Sequence, residues 1–185
     1  MRLKQPRITP LPPGEWDSDT REVLEGLRMD GLVFNVFATL ARHLKLFKRW
    51  LVFGDHTFSK SSLPAREREM VILRMGWLCQ AEYEWGHHAA IGKQVGLSAE
   101  EIRRVAAGPD ASGWDSFESA LLRAVDELHA DAFIGDSTWK GLAERYNTEQ
   151  LLDLIFTAGQ YTLVSMALNC CGVQLEDGFE RFPEG

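Results

Sequence analysis

The sequence predicts an all-α fold, and three observations lead to that prediction. Apolar residues recur at helical spacing through most of the 185 residues. Signals for helix ends are frequent along the chain. Runs of β-forming residues between the helices, which an α/β fold needs, are missing. Because a chain of this length can bury one core without splitting, we expect a single helical domain over residues 1–185.

Prolines mark the N-terminal region as an extended lead-in, which we place at residues 1–19. Four of the seven prolines lie within the first 14 residues: Pro6, Pro10, Pro12 and Pro13. A first amphipathic helix is expected over residues 20–29 and a second over 35–53, with Gly54 ending it and His56 in the connection. Pro64 suits the first turn of a third helix, since its missing N–H needs no partner there. That helix should extend to about residue 78.

The second half of the chain carries clearer end signals. A fourth helix is expected over residues 82–95, with Gly96 as its stop. The sequence Ser98-Ala99-Glu100-Glu101 is a capping box that starts a short helix ending at Gly108-Pro109. Further helices are expected over 117–130, capped by Ser116, and over 138–146, capped by Asp136 or Ser137. The last, over 149–171, is apolar nearly all round, as in a central helix or one that also faces a partner subunit.

Composition excludes several functional classes. The net charge is −7, with 9 basic and 6 acidic residues in positions 1–50 and 11 against 21 in positions 51–185. No basic stripe with interleaved aromatic residues is present, so a nucleic-acid partner is not expected. No apolar run reaches the roughly 20 residues of a membrane span, and we expect a cytoplasmic protein. Three cysteines, Cys79, Cys170 and Cys171, do not form a disulfide framework.

The segment Ala81-Glu82-Tyr83-Glu84-Trp85-Gly86-His87-His88 is the densest group of chemically active side chains. At about 100° per residue, five positions share one stripe of the fourth helix: Ala81, Glu84, His88, Ile91 and Val95. This stripe should turn inward, which brings Glu84 and His88 together as an i, i+4 pair. Such a pairing raises the imidazole pKa and lowers the carboxyl pKa, as acid–base catalysis requires. A core pair with a purely structural role remains the alternative.

Glu69 is a second acidic candidate upstream. Its segment, Arg66-Glu67-Arg68-Glu69, alternates in charge like a solvated helix face. Glu69 nevertheless shares a face with Ile72, Leu73 and Gly76, so it can look toward the core.

Metal and thiol chemistry have weaker support. The spacing Glu84-x-x-His87 occurs in di-iron bundles, but no second copy is present, and we predict no metal and no cofactor. Cys79 is a lone cysteine near a helix end, and such a residue is usually a small hydrophobe.

These residues make the chain resemble the carboxymuconolactone decarboxylase and alkylhydroperoxidase D-like superfamily. The resemblance covers residues 34–172 and is densest over 63–97. In its peroxidase branch a Glu is followed about twelve residues later by C-x-x-C-x-x-x-H. Here Glu69 matches that Glu and His88 the His, whereas Ala81 and Glu84 stand at the two cysteine positions. Tyr83 falls where an aromatic residue often precedes the second cysteine. The chain looks like the branch of the superfamily that reads E-Y-E-W-x-x-H at this motif. On the last helix, Gly159-Gln160-Tyr161 and Asn169 also look like that branch.

The resemblance implies a helical bundle with a paired-helix core and a homo-oligomer, as a dimer, trimer or hexamer. It implies an acid–base enzyme that decarboxylates, isomerises or hydrates a small lactone or carboxylic acid. The catalytic residues would be Glu69, Glu84 and His88. Four residues would bind the small-molecule substrate: Tyr83, Trp85, His87 and Gln160. A thiol peroxidase using Cys79 and a non-catalytic binding protein are the alternatives.

Overall fold

A computed structural model describes residues 2–29 and 31–183. Within these residues the chain forms nine α-helices and no β-strand, apart from one isolated bridge between Met29 and Leu32. The predicted all-α class is therefore confirmed. Four residues of the predicted domain, Met1, Asp30, Glu184 and Gly185, lie outside the described residues.

The helices are α1 (Ser18–Glu25), α2 (Asn35–Leu40), α3 (Leu44–Asp55), α4 (Ala65–Leu78), α5 (Glu82–Gln94), α6 (Ala99–Ala107), α7 (Ser116–Asp131), α8 (Asp136–Ala143) and α9 (Thr148–Cys171). Short 3₁₀ turns occupy Pro13–Glu15 and Ala41–His43. A single π-helical turn, His56–Lys60, follows α3 and is called the π-turn below.

Helix α4 is the centre of the bundle. Five consecutive or near-consecutive side chains of α4 are buried completely or almost so: Met70, Val71, Ile72, Leu73 and Met75. A helix that is apolar over such a run must be covered on several sides, and α4 packs against α5, α6, α7 and α9. Arg74 is also buried; it forms a bidentate pair with Asp126 of α7 and donates to the last carbonyls of α6.

Helices α4 and α5 form a tight antiparallel pair that positions the candidate site. The chain turns at Gln80, whose φ is 54°, and the Ala81 N–H donates to the Gly76 carbonyl at 2.8 Å. A Cβ at Gly76 would lie 3.5 Å from the Glu84 Cβ. The missing side chain at Gly76 therefore lets α5 approach α4 closely at the level of Glu84.

The predicted second helix is broken into three pieces. His43 leaves helical geometry (φ −126°, ψ 70°) and its ring accepts from the Leu46 N–H, which starts α3 anew. The prediction that Gly54 ends this helix was wrong. Gly54 lies inside α3 against Gln160 and Trp50, and His56 begins the π-turn instead of an open connection.

Other helix ends differ by a few residues. Asp17 caps α1 at Ser18 and the helix stops at Glu25, earlier than predicted. Asp115 forms the capping box of α7 in place of Ser116, because its carboxylate reaches the Glu118 N–H. Helix α8 follows Gly135 without a side-chain cap and ends at Ala143. The capping box at Ser98 is present as predicted.

Helix α9 is the longest helix, and its apolar character is divided between two faces. Among the described helices, it alone is long and apolar enough to cross a membrane, with a mean hydropathy of 1.4 over its best window. Half of that window is buried inside the protein, and Leu154, Thr157 and Ala158 are almost inaccessible. This is the pattern of a helix that contributes one face to the core.

Candidate active site

Glu69, Glu84 and His88 meet between α4 and α5. His88 Nδ1 lies 2.6 Å from Glu69 Oε2, and His88 Nε2 lies 3.0 Å from Glu84 Oε1. Both ring nitrogens therefore face carboxylate oxygens, and both can donate only when the ring carries two protons. The three residues are called the buried triad below.

Burial makes these contacts strong. The Glu69 side chain is fully inaccessible, and those of Glu84 and His88 are each 8% exposed. Arg68 donates to the second oxygen of Glu69 from Nε at 3.1 Å and from Nη2 at 3.0 Å. With both Glu ionised, the two carboxylates, the imidazolium and the guanidinium together carry no net charge. Buried charges need this kind of compensation.

The pKa of His88 follows from two opposing effects. Burial alone would lower it, because the charged ring loses its hydration. The carboxylates of Glu69 and Glu84 outweigh burial and raise the pKa of His88 to about 10. The rise agrees with the direction predicted for the Glu84 pair, but Glu69 adds a second carboxylate. At neutral pH the ring is therefore an imidazolium, which can give up a proton.

Two aromatic rings enclose the imidazole. Tyr161 of α9 meets His88 edge-on with ring centroids 5.0 Å apart, and Phe58 of the π-turn does so at 6.0 Å. Burial raises the pKa of Tyr161 well above its ordinary value, and the nearby carboxylates of Glu84 and Glu69 raise it further. Tyr161 is thus a neutral phenol.

Phe58 forms the outer wall of the site. It is partly exposed and carries the Arg68 guanidinium over its ring at 5.1 Å. The sequence held no signal for Phe58, because its role depends on the π-turn. Single-turn π segments of this kind are frequent at functional sites.

Tyr83 and His87 lie on another side of α5, away from the ring of His88. The Tyr83 hydroxyl donates to Glu176 Oε1 at 3.0 Å, and His87 Nε2 lies 2.7 Å from Glu176 Oε2. The Asn35 N–H donates to the same carboxylate at 2.6 Å. Phe179 packs on the His87 ring with centroids 4.0 Å apart. These contacts hold residues 173–183, called the C-terminal segment below, against α5.

Trp85 and Gly86 also contact the C-terminal segment. Trp85 is buried against Trp77 and Phe182, with ring centroids 5.6 Å apart in each case. A Cβ at Gly86 would lie 2.8 Å from the Glu180 carbonyl oxygen and 2.9 Å from Leu175. Glycine is needed here because the C-terminal segment crosses α5 at this residue. The structure therefore brings the predicted catalytic residues together, but not the predicted binding residues Tyr83, Trp85 and His87.

Gln160 lies next to Tyr161 in sequence but faces α3. Its side chain is buried, its Nε2 lies 3.5 Å from the position of a Cβ on Gly54, and its Oε1 has no hydrogen-bond partner. The Thr157 hydroxyl, one turn earlier, is also buried without a partner. Helix α9 thus carries unpaired polar atoms beside the residue that covers His88.

Cys79 lies at a distance from Glu69. It follows α4, ten residues after Glu69, which corresponds to about 15 Å along a helix axis. Burial raises the pKa of its thiol, whereas a reactive cysteine needs a lowered one. All three cysteines are free. In the part of the chain that the structure describes, no three His, Cys, Asp or Glu side chains are arranged to hold a metal ion.

Comparison with known proteins gives the same fold. Residues 45–127 match the model of the carboxymuconolactone decarboxylase family, whereas no curated protein is significantly similar in sequence. An alkylhydroperoxidase AhpD core, an uncharacterized peroxidase-related protein from Ralstonia eutropha JMP134, is 21% identical, with a TM-score of 0.80 over 92% of this chain and 93% of that one. An uncharacterized peroxidase-related protein from Silicibacter sp. TM1040 is 16% identical, with a TM-score of 0.81 over 98% and 99%.

A third solved structure is the debrominase Bmp8, as a cysteine-to-alanine variant in complex with 2,3,4-tribromopyrrole. It is 13% identical, with a TM-score of 0.74 over 94% of both chains. At these identities the structures establish the fold alone. The family match over residues 45–127 and the shared fold support the resemblance found in the sequence to the carboxymuconolactone decarboxylase and alkylhydroperoxidase D-like superfamily.

Proposed function

We propose that this protein is an acid–base enzyme that acts on a small lactone or carboxylic acid. The observation that carries the proposal is the ring of His88, which is buried between two carboxylates at 2.6 and 3.0 Å and is thereby held as a proton donor. A proton donor in a water-poor site beside a neutral phenol suits reactions in which carbon or oxygen gains a proton. Decarboxylation, isomerisation and hydration all contain such a step.

The two carboxylates differ in role. Glu69 is fully inaccessible and is fixed by Arg68, so it orients the ring and holds its charge. Glu84 is slightly accessible, at 8% against 0% for Glu69, and can pass protons between His88 and the substrate. In a decarboxylation, the bond to the leaving carboxylate breaks and CO₂ departs. The electron pair of the broken bond stays on the substrate as an enolate, which takes the proton of His88.

A small ligand is favoured over nucleic acid or a membrane surface. Phe58 and Tyr161 enclose the imidazole, so a substrate reaches His88 only if the partly exposed Phe58 ring moves, and a compact, flat molecule suits such an opening. The debrominase with this fold is in complex with a tribrominated pyrrole, a planar five-membered ring. A five-membered lactone has a similar outline.

The test uses matched variants on a panel of lactones and small carboxylic acids. His88→Ala, Glu69→Gln and Glu84→Gln should each reduce turnover by about 10²–10⁴-fold, the usual contribution of a positioned acid or base. His56→Ala is the control, because the His56 side chain is 52% exposed and pairs with Asp153, outside the buried triad. Circular dichroism checks that all variants are helical. Unchanged turnover in the three triad variants would remove the assignment.

A thiol peroxidase is the second candidate, since two of the similar structures are peroxidase-related proteins. Both motif cysteine positions are occupied by Ala81 and Glu84, so this role would depend on Cys79. Hydroperoxide consumption with a dithiol donor, measured for wild type and Cys79→Ser, tests it. A loss of activity in that variant would favour the peroxidase. A protein inactive in both assays would be a binding protein that keeps only the fold.

We also propose a cytoplasmic location. The three cysteines are free, and Cys170 is exposed, which suits a reducing compartment.

A further inference from the structure

An apolar cavity lies between α2, α3 and the second half of α9, and Val173 of the C-terminal segment also lines it. Its volume is about 160 Å³. The buried triad and the two rings that enclose His88 do not belong to its lining. This cavity, called the α2–α9 cavity below, is therefore separate from the candidate active site, and the proposed function does not account for it.

The α2–α9 cavity forms where two groups of buried apolar side chains meet without closing. One group surrounds Phe47, the other surrounds Val164 and Leu168, and the Trp50 ring packs against both. The rings of Phe47 and Trp50 stack with centroids 6.0 Å apart, and both line the cavity. Protein interiors seldom leave a void larger than a water molecule, so a gap of this size is an unusual feature of the packing.

The α2–α9 cavity has a mouth and a floor. Leu46 and Leu163, which are 59% and 53% exposed, line it at the surface. Phe47, Leu168 and Val173 line it too, but each of them is at most 5% exposed. A small molecule can therefore reach the buried side chains from solvent between the two leucines.

Thr39 brings a buried hydroxyl to this apolar lining. The residue is 3% exposed, and its Oγ1 has no hydrogen-bond partner among the described residues. Buried polar atoms are nearly always hydrogen-bonded, and an unpaired one costs free energy. A buried water molecule needs about two to four polar partners, whereas the other lining side chains are apolar apart from the weakly polar thiol of Cys171. The cavity therefore suits a ligand that is apolar except for one hydrogen-bonding atom.

We propose that the α2–α9 cavity binds a small phenol, which is one six-membered aromatic ring with a hydroxyl group. An apolar cavity of about 150 Å³ holds a benzene molecule, so the volume fits one such ring. The ring would pack against Phe47 and Trp50, since aromatic pairs attract each other beyond the effect of the area that they bury. The hydroxyl of the ligand would pair with Thr39 Oγ1, which can donate or accept.

The lack of charge in the lining distinguishes this ligand from the substrate proposed above. Within the described residues, no charged side chain lines the cavity. A carboxylate or an ammonium group would lose its hydration there without gaining a counter-charge. A phenol avoids that loss because, like a tyrosine side chain, it ionises only near about pH 10.

The first test compares phenol with toluene, which has the same outline but no hydroxyl. Binding to the full-length protein is measured by ligand-observed NMR, and phenol should bind with a dissociation constant on the order of 1 mM or below. Thr39→Val replaces the hydroxyl by a methyl group of similar size. It should weaken phenol binding about 5–10-fold and leave toluene binding unchanged. Equal effects on the two ligands, or no effect on phenol, would overturn the proposal.

The same variant has a second readout, which is its thermal stability without ligand. The Thr39 hydroxyl has no partner among the described residues to lose, so Thr39→Val should unfold at the same temperature as wild type or at a higher one. A clear fall in Tm would show that the hydroxyl is already satisfied within the protein, and would count against its role in binding a ligand.

Two cavity-filling variants locate the bound phenol. Ala167→Phe and Leu163→Trp each enlarge a side chain of the lining and should weaken the binding of both ligands about 10-fold or more. Ala130→Phe is the control, because Ala130 is exposed on α7, outside the cavity, and circular dichroism checks that all variants are helical. Unchanged phenol binding in the folded cavity-filling variants, or no saturable binding to wild type, would overturn the proposal. Phenol binding that disappears as the protein concentration rises would do the same, because another copy would then occupy the cavity.

Discussion

The charged state of His88 makes a quantitative prediction about stability. A histidine pKa of about 10 in the folded protein, against 6.5 ordinarily, corresponds to about 5 kcal/mol at 1.36 kcal/mol per pKa unit. Because the folded-state pKa is the higher one, this stabilisation is fully present below pH 6.5. It decreases as the pH rises toward 10 and is lost above that. The free energy of unfolding should therefore fall by roughly 1.4 kcal/mol per pH unit in this window.

Glu69→Gln is the informative perturbation. It keeps the size of the side chain but removes the carboxylate closest to the ring. Only Glu84 then raises the His88 pKa against the lowering effect of burial, so the pKa should fall. Urea unfolding at pH 7, 8, 9 and 10 should show a steep loss of stability in wild type. The variant should show a shallower slope, because its His88 pKa lies below that of wild type. His56→Gln controls for exposed histidines and should behave like wild type, since the His56 side chain is 52% exposed.

A direct measurement can refute the reasoning. The chain has only 5 histidines, so imidazole resonances can be assigned by NMR with single-site variants. We expect the His88 ring to carry both protons at pH 8. A His88 signal that titrates near pH 6.5, or parallel stability curves for wild type and Glu69→Gln between pH 8 and 10, would show that the carboxylates do not outweigh burial.

Two further predictions concern the frame around the site. Gly86→Ala should lower the free energy of unfolding by about 1–3 kcal/mol and speed proteolysis of the C-terminal segment, because the new Cβ would lie 2.8 Å from a backbone oxygen. The control is Gly141→Ala, whose Cβ has room; it should leave stability unchanged or raise it by up to about 1 kcal/mol. Arg74→Met should cost about 1–3 kcal/mol in urea unfolding, because it leaves the partly buried Asp126 carboxylate and the Val105 and Ala106 carbonyls without their donor. Arg123→Met, at an exposed pair, should change stability by less than about 1 kcal/mol.

Local signals in the sequence predicted the helices well where the helix ends are capped locally. The capping box at Ser98 and the stop at Gly96 are both present. The break of the second predicted helix at His43 was missed, because a ring nitrogen that caps a helix gives no standard signal. The π-turn was missed for a similar reason, since it continues α3 without an end signal.

The alternating run Arg66-Glu67-Arg68-Glu69 shows where local reasoning fails. By pattern it is a solvated face, yet Glu67 and Glu69 are both buried. Each carboxylate is satisfied by a side chain distant in sequence: Glu67 by the Tyr146 hydroxyl at 2.5 Å, and Glu69 by His88. Burial of a charge depends on its partner, and such partners are invisible to periodicity.

Helical phase explains the mixed outcome for the residues around His88. Glu84 and His88 are one turn apart and share the face toward α4, as the stripe predicted. Tyr83 and His87 form a second pair one turn apart, rotated by about 100°, and this pair faces Glu176. The sequence could not separate the two pairs by function, because the second pair binds Glu176 of the C-terminal segment, about 90 residues away.

The start of α5 shows why a carboxylate can stand where the resemblance places a cysteine. Glu84 lies in the first turn of α5, where the helix dipole favours a negative charge. The same field would lower the pKa of a thiol at that position and so favour a reactive thiolate. With a carboxylate, the field stabilises a negative charge one turn from His88, and that charge helps to keep the imidazole protonated. One backbone arrangement thus suits thiol chemistry or proton transfer, depending on the side chain at residue 84.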